Sequence, residues 1–125
     1  MNEDYYRKAI DSLKAARILF EAECYDSCIS RCYYSMFQFS VAVLSKYGIK
    51  PPNEAEYKHA WVQAAVAKVL IKRRGVLPAK LASYLPDTLS IREEADYEPV
   101  MISKKRTKRT LAKASDFIEK LQEVY

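Results

Sequence analysis

The sequence predicts a single all-α domain, an up-and-down bundle of four to five helices that spans residues 1–125. Three observations predict this fold class. Apolar residues recur every three or four positions along most of the chain, as they do on amphipathic helices. No segment shows the polar–apolar alternation of a strand. Only two glycines occur, and both lie where a helical pattern stops.

The chain begins with two predicted helices. Asn2 is a candidate N-cap of the first helix. Asp26 is a candidate N-cap of the second, which is expected to run to Tyr47, with Gly48 as its C-terminal stop. The apolar face of the first helix comprises Tyr6, Ile10, Leu13 and Phe20.

A third and a fourth helix are predicted next. Asn53, with Glu56 three residues later, resembles a capping box that opens a helix ending before Gly75. Pro78 suits the first turn of the following helix, because the first turn leaves its N–H groups unpaired anyway. Pro86 lies inside that helical pattern and predicts a kink or a break into two short helices.

The last helix is expected to follow a loop at residues 96–99, with Ser103 as its candidate N-cap. The seam positions after Ser103 alternate by four and three, which is the period of a one-sided face in a helical bundle. These positions are Thr107, Leu111, Ala114, Ile118, Leu121 and Tyr125.

Composition excludes several classes of protein. Half of the residues are apolar, which excludes intrinsic disorder. The N-terminus lacks the apolar run of a signal peptide, and no stretch approaches the ~20 apolar residues of a membrane helix. We therefore expect a cytoplasmic protein that does not contact a membrane. The formal net charge of +5 permits a nucleic-acid or acidic protein partner without requiring one.

The three cysteines are spaced four residues apart. Cys24, Cys28 and Cys32 would therefore form one column on a helix. Such a column is either a metal or redox site or a set of small buried side chains with free thiols. The odd count and the lack of a Cys-x-x-Cys pair favour free thiols, so neither a metal nor a cofactor is predicted.

The second predicted helix is apolar around most of its circumference, which predicts a central, buried helix. Five polar residues nevertheless fall close to one line along it. They are Ser27, Arg31, Ser35, Gln38 and Ser45.

An arginine on a buried helix is costly unless it is paired or faces a cleft. Two interpretations of Arg31 are open at this point. In the structural one, Arg31 forms a salt bridge with Asp96 or Glu94 and holds the bundle in register. In the functional one, the polar line borders a groove at a dimer interface, where Arg31 meets a phosphate.

The central helix also carries a recognisable motif. Its segment Arg31-Cys32-Tyr33-Tyr34-Ser35-Met36-Phe37 resembles the Arg-x-Tyr-Tyr-Ala-x-Phe motif of HEPN-domain proteins. The later segment Arg92-Glu93-Glu94-Ala95-Asp96-Tyr97 is similar to the Arg-x-x-Ala-Asp-Tyr element of that family. Between them the matches in family order are Tyr47-Gly48-Ile49, His59 and Gly75-Val76-Leu77-Pro78.

This resemblance spans essentially the whole chain. It implies a helical bundle that forms a homodimer through its central helices and has a role around RNA. Many members of the family cleave RNA without metal, using an arginine followed four to six residues later by a histidine. Others are the toxin-like partner of a small nucleotidyltransferase, and some are non-catalytic binding modules.

This chain departs from the family pattern at Gln38, where the branch that it resembles has the histidine. Metal-free cleavage needs one group to take the proton of the 2′-hydroxyl and one to protonate the leaving 5′-oxygen, and histidine does both near pH 7. Arg31 can stabilise charge on the phosphate. A neutral amide binds phosphate but cannot transfer protons. The resemblance therefore implies binding, with ribonuclease activity doubtful.

His59 is the only histidine of the chain, and it is one candidate replacement for the missing proton-transfer group. A lone histidine near an apolar face is more often structural, so the structural interpretation is favoured. Tyr33 and Tyr34 would be poor bases, because an ordinary tyrosine has a pKa near 10.

A basic run at residues 104–109 opens the last predicted helix. Cations in a first turn oppose the helix dipole, so local stability does not explain the run. A solvated face is one interpretation, and contact with a phosphate backbone or an acidic protein is the other. The candidate binding residues of the chain are Tyr34, Ser35, Arg92, Asp96, Tyr97, Lys104, Lys105, Arg106, Lys108 and Arg109.

Together these patterns predict a HEPN-type homodimer that binds RNA or a nucleotide in a groove containing Arg31. The alternative hypothesis is a non-catalytic interaction module that docks a nucleotidyltransferase or another protein partner. A third is a dimeric scaffold in which Arg31 has a purely structural role.

Overall fold

The computed structural model describes residues 2–54 and 56–125, and within them it confirms the all-α fold class. A π-helix, Val66–Arg73, continues directly from the third α-helix. Short 3-10 segments, Pro52–Glu54 and Ala79–Ser83, precede the third and fourth α-helices. The α-helices are α1 (Asn2–Glu21), α2 (Tyr25–Lys46), α3 (His59–Ala65), α4 (Tyr84–Tyr97) and α5 (Lys104–Val124).

The central position predicted for the second helix is confirmed. α2 contacts α1, α3, α4 and α5, and every residue from 39 to 44 is buried. Each large apolar side chain that is fully buried in this way stabilises the fold by about 1.5–3 kcal/mol. Residues 39–44 of α2 are therefore enclosed within one chain, and the partly exposed side of the helix lies before them, in residues 25–38. The largest fully buried side chains include Tyr33, Phe39, Phe117, Ile29, Met36 and Leu44.

The first two helices begin differently from the prediction. Asn2 is already the first helical residue of α1, and the preceding position lies outside the described residues. Cys24 is the N-cap of α2, and Asp26 lies in the first turn instead. The Asp26 carboxylate accepts a hydrogen bond of 2.9 Å from the main-chain N–H of Ile102. Asp26 therefore joins α2 to the segment before α5 rather than capping its own helix.

The capping box predicted at Asn53 and Glu56 does not form. Asn53 has a left-handed backbone with φ 57°, which asparagine tolerates better than most residues but which differs from the extended backbone of an N-cap. Lys58 is the N-cap, so α3 begins at His59. Gly75 has a φ of 61° and follows the end of the π-helix Val66–Arg73. This confirms the prediction that the helical segment stops before this glycine.

The fourth helix confirms a break into two pieces but places it before Pro86. The 3-10 segment Ala79–Ser83 ends where α4 begins, so Pro86 lies in the first turn of α4, where its missing N–H removes no helical hydrogen bond. α4 then continues through Tyr97, which corrects the predicted loop at 96–99. Ser103 caps α5 as predicted, since its hydroxyl accepts from the N–H of Arg106 at 3.2 Å.

All three cysteines are free thiols, as predicted. Cys28 and Cys32 are buried, as expected for small core side chains. Cys24 is exposed, so the prediction of a buried side chain is wrong for this cysteine. A hydrogen bond with Cys28, together with burial, raises the pKa of the Cys32 thiol. Cys32 therefore stays protonated at neutral pH and behaves as a small core side chain.

Candidate functional site

The partly exposed side of α2 lies between α1 on one edge and α3 and α4 on the other. Residues on this side contact Ser12 of α1, His59 of α3 and Arg92 of α4. We call it the open strip. It consists of Ser27, Arg31, Tyr34, Phe37 and Gln38, all half-buried or exposed.

Ser35 does not belong to the open strip, contrary to the prediction. It is fully buried, and its hydroxyl donates to the main-chain oxygen of Cys32 at 2.8 Å. A step of four residues from Arg31 advances about 40° around the helix, which turns Ser35 toward the core. The step of seven to Gln38 advances about 20° the other way and keeps Gln38 on the open side.

Arg31 is half-buried and is held by an aromatic ring rather than by a carboxylate. Its guanidinium carbon lies 5.1 Å from the centroid of the Tyr34 ring. Among residues 2–54 and 56–125, no carboxylate forms an ion pair with Arg31; Asp96 pairs with Arg92, and Glu94 pairs with Arg106. The predicted salt bridge of Arg31 with Asp96 or Glu94 is therefore absent. Arg31 instead lines a shallow pocket whose other lining residues are Leu19, Asp26, Ser27, Ser30 and Asp96.

Arg92 reaches the same tyrosine from α4. Its guanidinium carbon lies 4.8 Å from the Tyr34 ring centroid and 5.7 Å from that of Tyr33. Tyr34 is thus contacted by two cations, Arg31 and Arg92, that stand 61 positions apart in the sequence. Cation–π contact orients a guanidinium group while leaving its N–H edge available to an acceptor.

The hydrogen bonding of Arg92 is incomplete. Its Nε atom lies 3.5 Å from a carboxylate oxygen of Asp96, but this contact lacks hydrogen-bond geometry. Within the described part of the chain the buried Nε atom has no hydrogen-bond partner. A buried, unpaired donor on a charged group is costly, so this atom marks a position that favours an acceptor.

His59 pairs with Tyr33 on the inner side of the strip. The Tyr33 hydroxyl and His59 Nδ1 are 2.6 Å apart, and the His59 ring also contacts the ring of Phe37 at 4.9 Å. Burial raises the pKa of Tyr33 to about 12, so its hydroxyl keeps its proton. Burial and the nearby Arg92 cation lower the pKa of His59, so the imidazole is neutral at pH 7. We assign the tyrosine as donor to Nδ1, which places the imidazole proton on Nε2.

Gln63 is a site residue that the sequence argument missed. It lies one turn after His59 on α3, and this four-residue spacing is the signal that would have placed both on one face. The Gln63 side chain lies close enough to the Tyr33 hydroxyl to offset part of the rise in its pKa that burial causes, but not in hydrogen-bond geometry. Its Nε2 atom is buried and has no partner among the residues that the structure describes.

Gln38 lies on the opposite edge and is fully engaged. With its amide nitrogen facing α1, it donates to the main-chain oxygens of Lys8 at 3.0 Å and of Tyr34 at 3.1 Å. It also lies 2.8 Å from the hydroxyl of Ser12. The residue at the expected histidine position therefore joins α1 to α2.

The basic run separates into two parts. Arg106 forms a bidentate salt bridge with Glu94, with both N–O distances 2.7 Å. This pair fixes the start of α5 against α4. The remaining cations of the run are exposed, and the described residues offer them no ion pair; they are Lys104, Lys105, Lys108 and Arg109. Tyr97, just before the run, has 81% of its surface exposed.

Metal-binding clusters and membrane-spanning helices are not found in residues 2–54 and 56–125. No group of three or more histidine, cysteine, aspartate or glutamate side chains in these ranges is arranged to hold a metal ion. None of the helices in the same ranges has the length and apolar character needed to cross a membrane.

Comparison with known proteins identifies the family of this chain. The HEPN domain profile matches residues 2–124. A protein of Methanocaldococcus jannaschii named "Putative toxin" is 34% identical over 119 residues, which cover 94% of this chain and 77% of the relative. The chain therefore belongs to the HEPN family.

Proposed function

We propose that this HEPN protein is toxin-like and binds RNA or a nucleotide through the open strip, with little or no ribonuclease activity. The observation that carries the proposal is the placement of Arg31 and Arg92 on the same Tyr34 ring. Two oriented guanidinium groups present N–H donors that match the oxygens of a phosphodiester. The name of the Methanocaldococcus jannaschii relative supports a toxin-like role.

The weak cleavage follows from Gln38. Its amide cannot exchange a proton with a ribose hydroxyl, and its nitrogen already donates to two main-chain oxygens. Removing a general acid–base group typically lowers a rate by about 10²–10⁴-fold. The strip therefore keeps its phosphate-binding groups and lacks the proton-transfer group beside them.

The proposed assembly is a homodimer that pairs along α2, so that the open strip borders a groove at the interface and stays accessible to RNA. The apolar surface of α2 is covered by the other helices of its own chain, so it does not by itself require a second copy. The support for pairing is the family resemblance, together with the exposed apolar side chain of Ile18, which precedes the pocket-lining residue Leu19 in the sequence. Light scattering at roughly tens of micromolar should give twice the mass of one chain, and a monomer would contradict pairing.

A second candidate function is a non-catalytic module that docks a nucleotidyltransferase-type protein. The observation that favours it is a set of exposed apolar residues at the end of α4 and in the segment that joins it to α5. Tyr97, Val100 and Met101 are 81%, 71% and 69% exposed, and the exposed cations of the basic run follow directly. Apolar residues bordered by charge are typical of a protein interface.

Binding of a single-stranded RNA by the purified protein tests the primary proposal. Arg31→Gln should weaken binding by about tenfold or more, because a hydrogen bond to a charged group contributes about 1.5–3 kcal/mol. Arg17→Gln is the matched control, since Arg17 is an exposed arginine whose contact is the Ser115 hydroxyl at 3.4 Å on the α1–α5 face. Equal RNA affinity of wild type and Arg31→Gln would contradict the proposal and favour the docking module.

A further inference from the structure

Two buried donors without acceptors lie around Tyr33. One is Nε of Arg92 and the other is Nε2 of Gln63, which come from α4 and α3 respectively. Arg92 lies over the Tyr33 ring at 5.7 Å, and Gln63 approaches the Tyr33 hydroxyl. Both unpaired atoms therefore belong to one cluster.

A third donor joins this cluster. His59 Nδ1 accepts a hydrogen bond from the Tyr33 hydroxyl, 2.6 Å away, so the proton of the neutral imidazole is on Nε2. No hydrogen bond to the His59 Nε2 atom occurs among the described residues. The cluster thus contains N–H groups from three side chains, and no acceptor among the described residues meets them in hydrogen-bond geometry.

Leaving buried donors unpaired costs free energy, and folded proteins rarely retain two in one place without a ligand or water. The complementary ligand is rich in acceptor oxygens and negatively charged, because one of the donors is a guanidinium. A phosphate group has both properties, whereas a neutral carbonyl or a cation does not.

We propose that His59, Gln63 and Arg92 form a second phosphate position beside Arg31, so that the open strip holds two neighbouring phosphate groups. This inference rests on the proposed function, because it extends the same site. Arg92 belongs to both positions, since its guanidinium also contacts Tyr34 together with Arg31. The ligand is then a nucleotide chain or a nucleotide with more than one phosphate, held by side chains of α2, α3 and α4.

Asp96 competes for this position. Its carboxylate lies 3.5 Å from Arg92 Nε and also lines the pocket of Arg31. Asp96 is exposed and can turn away when an anion arrives. Asp96→Asn should therefore strengthen phosphate binding by several-fold, a direction opposite to that of a residue needed to hold the arginine in place.

Because His59 is the only histidine, its imidazole nitrogens give an unambiguous NMR signal. Titration of the full chain with inorganic phosphate at constant ionic strength should shift the Nε2 resonance saturably, with Nδ1 changing less. Sodium chloride at matched ionic strength is the control for screening. Uridine monophosphate and a dinucleotide, titrated in the same way, distinguish a terminal phosphate from a phosphodiester.

Two substitutions test the donors separately. Arg92→Lys keeps the charge but removes Nε, and Gln63→Leu removes the unpaired amide; each should weaken phosphate binding, the first by about tenfold. Gln63→Leu should also raise the melting temperature, because it deletes a buried donor without a partner. Arg17→Lys and Gln122→Leu, on the α1–α5 face, are the matched controls and should leave binding unchanged.

The inference is wrong if phosphate leaves the His59 nitrogens unchanged, or if Gln63→Leu and Arg92→Lys both bind phosphate as the wild type does. RNA binding that depends on Arg31 would survive such a result and uphold the proposed function alone. A phosphate-dependent shift at His59 in a protein that fails to bind RNA would instead support this position and contradict the proposed function.

Discussion

The two edges of the open strip contrast in their hydrogen bonding. On the α1 edge, Gln38 is engaged by Lys8, Ser12 and Tyr34 at 2.8–3.1 Å. On the α3 and α4 edge, Gln63 and Arg92 each keep a buried donor without a partner. The first edge behaves as part of the fold, because its polar groups stabilise the packing of two helices. The second edge is incomplete without an acceptor, which is what a binding site requires.

This contrast shows that two positions of the same helix, Arg31 and position 38, have different roles. Sequence places Arg31 and position 38 on the same side of α2, and the structure keeps them there. Only the structure shows that the residue at position 38 is used to hold α1, while the unpaired groups gather around Tyr33 and Tyr34 on the other edge.

The largest expected effect comes from restoring a proton-transfer group on the α1 edge. Gln38→His should raise metal-free RNA cleavage by on the order of 10²-fold, because histidine can take and return a proton near pH 7. Cleavage is measured on single-stranded RNA in the presence of a chelator. The control is Gln38→His combined with Arg31→Gln, which should abolish the gain.

Robust, Arg31-dependent cleavage by the wild type would contradict the conclusion that the open strip lacks a proton-transfer group, because another residue would then be transferring the proton. Inactivity of Gln38→His in a folded protein that still binds RNA would favour a pure binding module.

The next effect isolates the structural role of the α1 edge. Gln38→Ala should lower the free energy of unfolding by about 1–3 kcal/mol, because it removes the side-chain hydrogen bonds that join the Ser12 hydroxyl and the Lys8 main-chain oxygen of α1 to α2. RNA affinity should change little, since the amide has no free donor to offer. Urea denaturation and RNA binding on the same sample measure both. Unchanged stability with a large loss of RNA affinity would reverse the roles assigned to the two edges.

The helices themselves were predictable because burial of one face dominates their formation. The seam of α5 and the central position of α2 follow from apolar spacing, and both are confirmed. Helix starts at Asp26 and Asn53 were misplaced for a different reason. A capping residue also serves tertiary contacts, as when Asp26 binds the N–H of Ile102, and such contacts between distant segments are not encoded locally.

The candidate site was predictable only in part. Arg31 and Arg92 were identified by their resemblance to family motifs, but their meeting at Tyr34 depends on how α4 docks against α2. Gln63 escaped notice because glutamine on a helix is ordinary until its surroundings are known. The absence of partners for its amide within the described ranges is a property of packing alone.

A smaller effect is expected from the exposed part of the basic run, which has no aromatic support among the described residues. Replacing Lys104, Lys105 and Lys108 with glutamine should lower RNA affinity a few-fold. It should also flatten the salt dependence of binding by about one unit of slope for each phosphate that the variant no longer binds. Arg106 is left in place because its partner is Glu94. An unchanged slope would make the run a solvated face, and a larger effect than that of Arg31→Gln would move the main RNA-binding surface to α5.

The smallest expected effect concerns His59 and pH. Its pKa is lowered in the fold, by burial and by Arg92, relative to the ordinary value of 6.5 that holds in the unfolded chain. As pH falls through 6.5 the unfolded chain takes up a proton before the folded one does, so the free energy of unfolding should decrease and then level off below the folded pKa. His59→Gln should remove this decrease, and no other histidine contributes to it. Bound phosphate favours the protonated imidazole, so saturating phosphate should raise the pKa of His59 and shrink the decrease. A pH dependence that phosphate leaves unaltered would show that no anion binds at this edge.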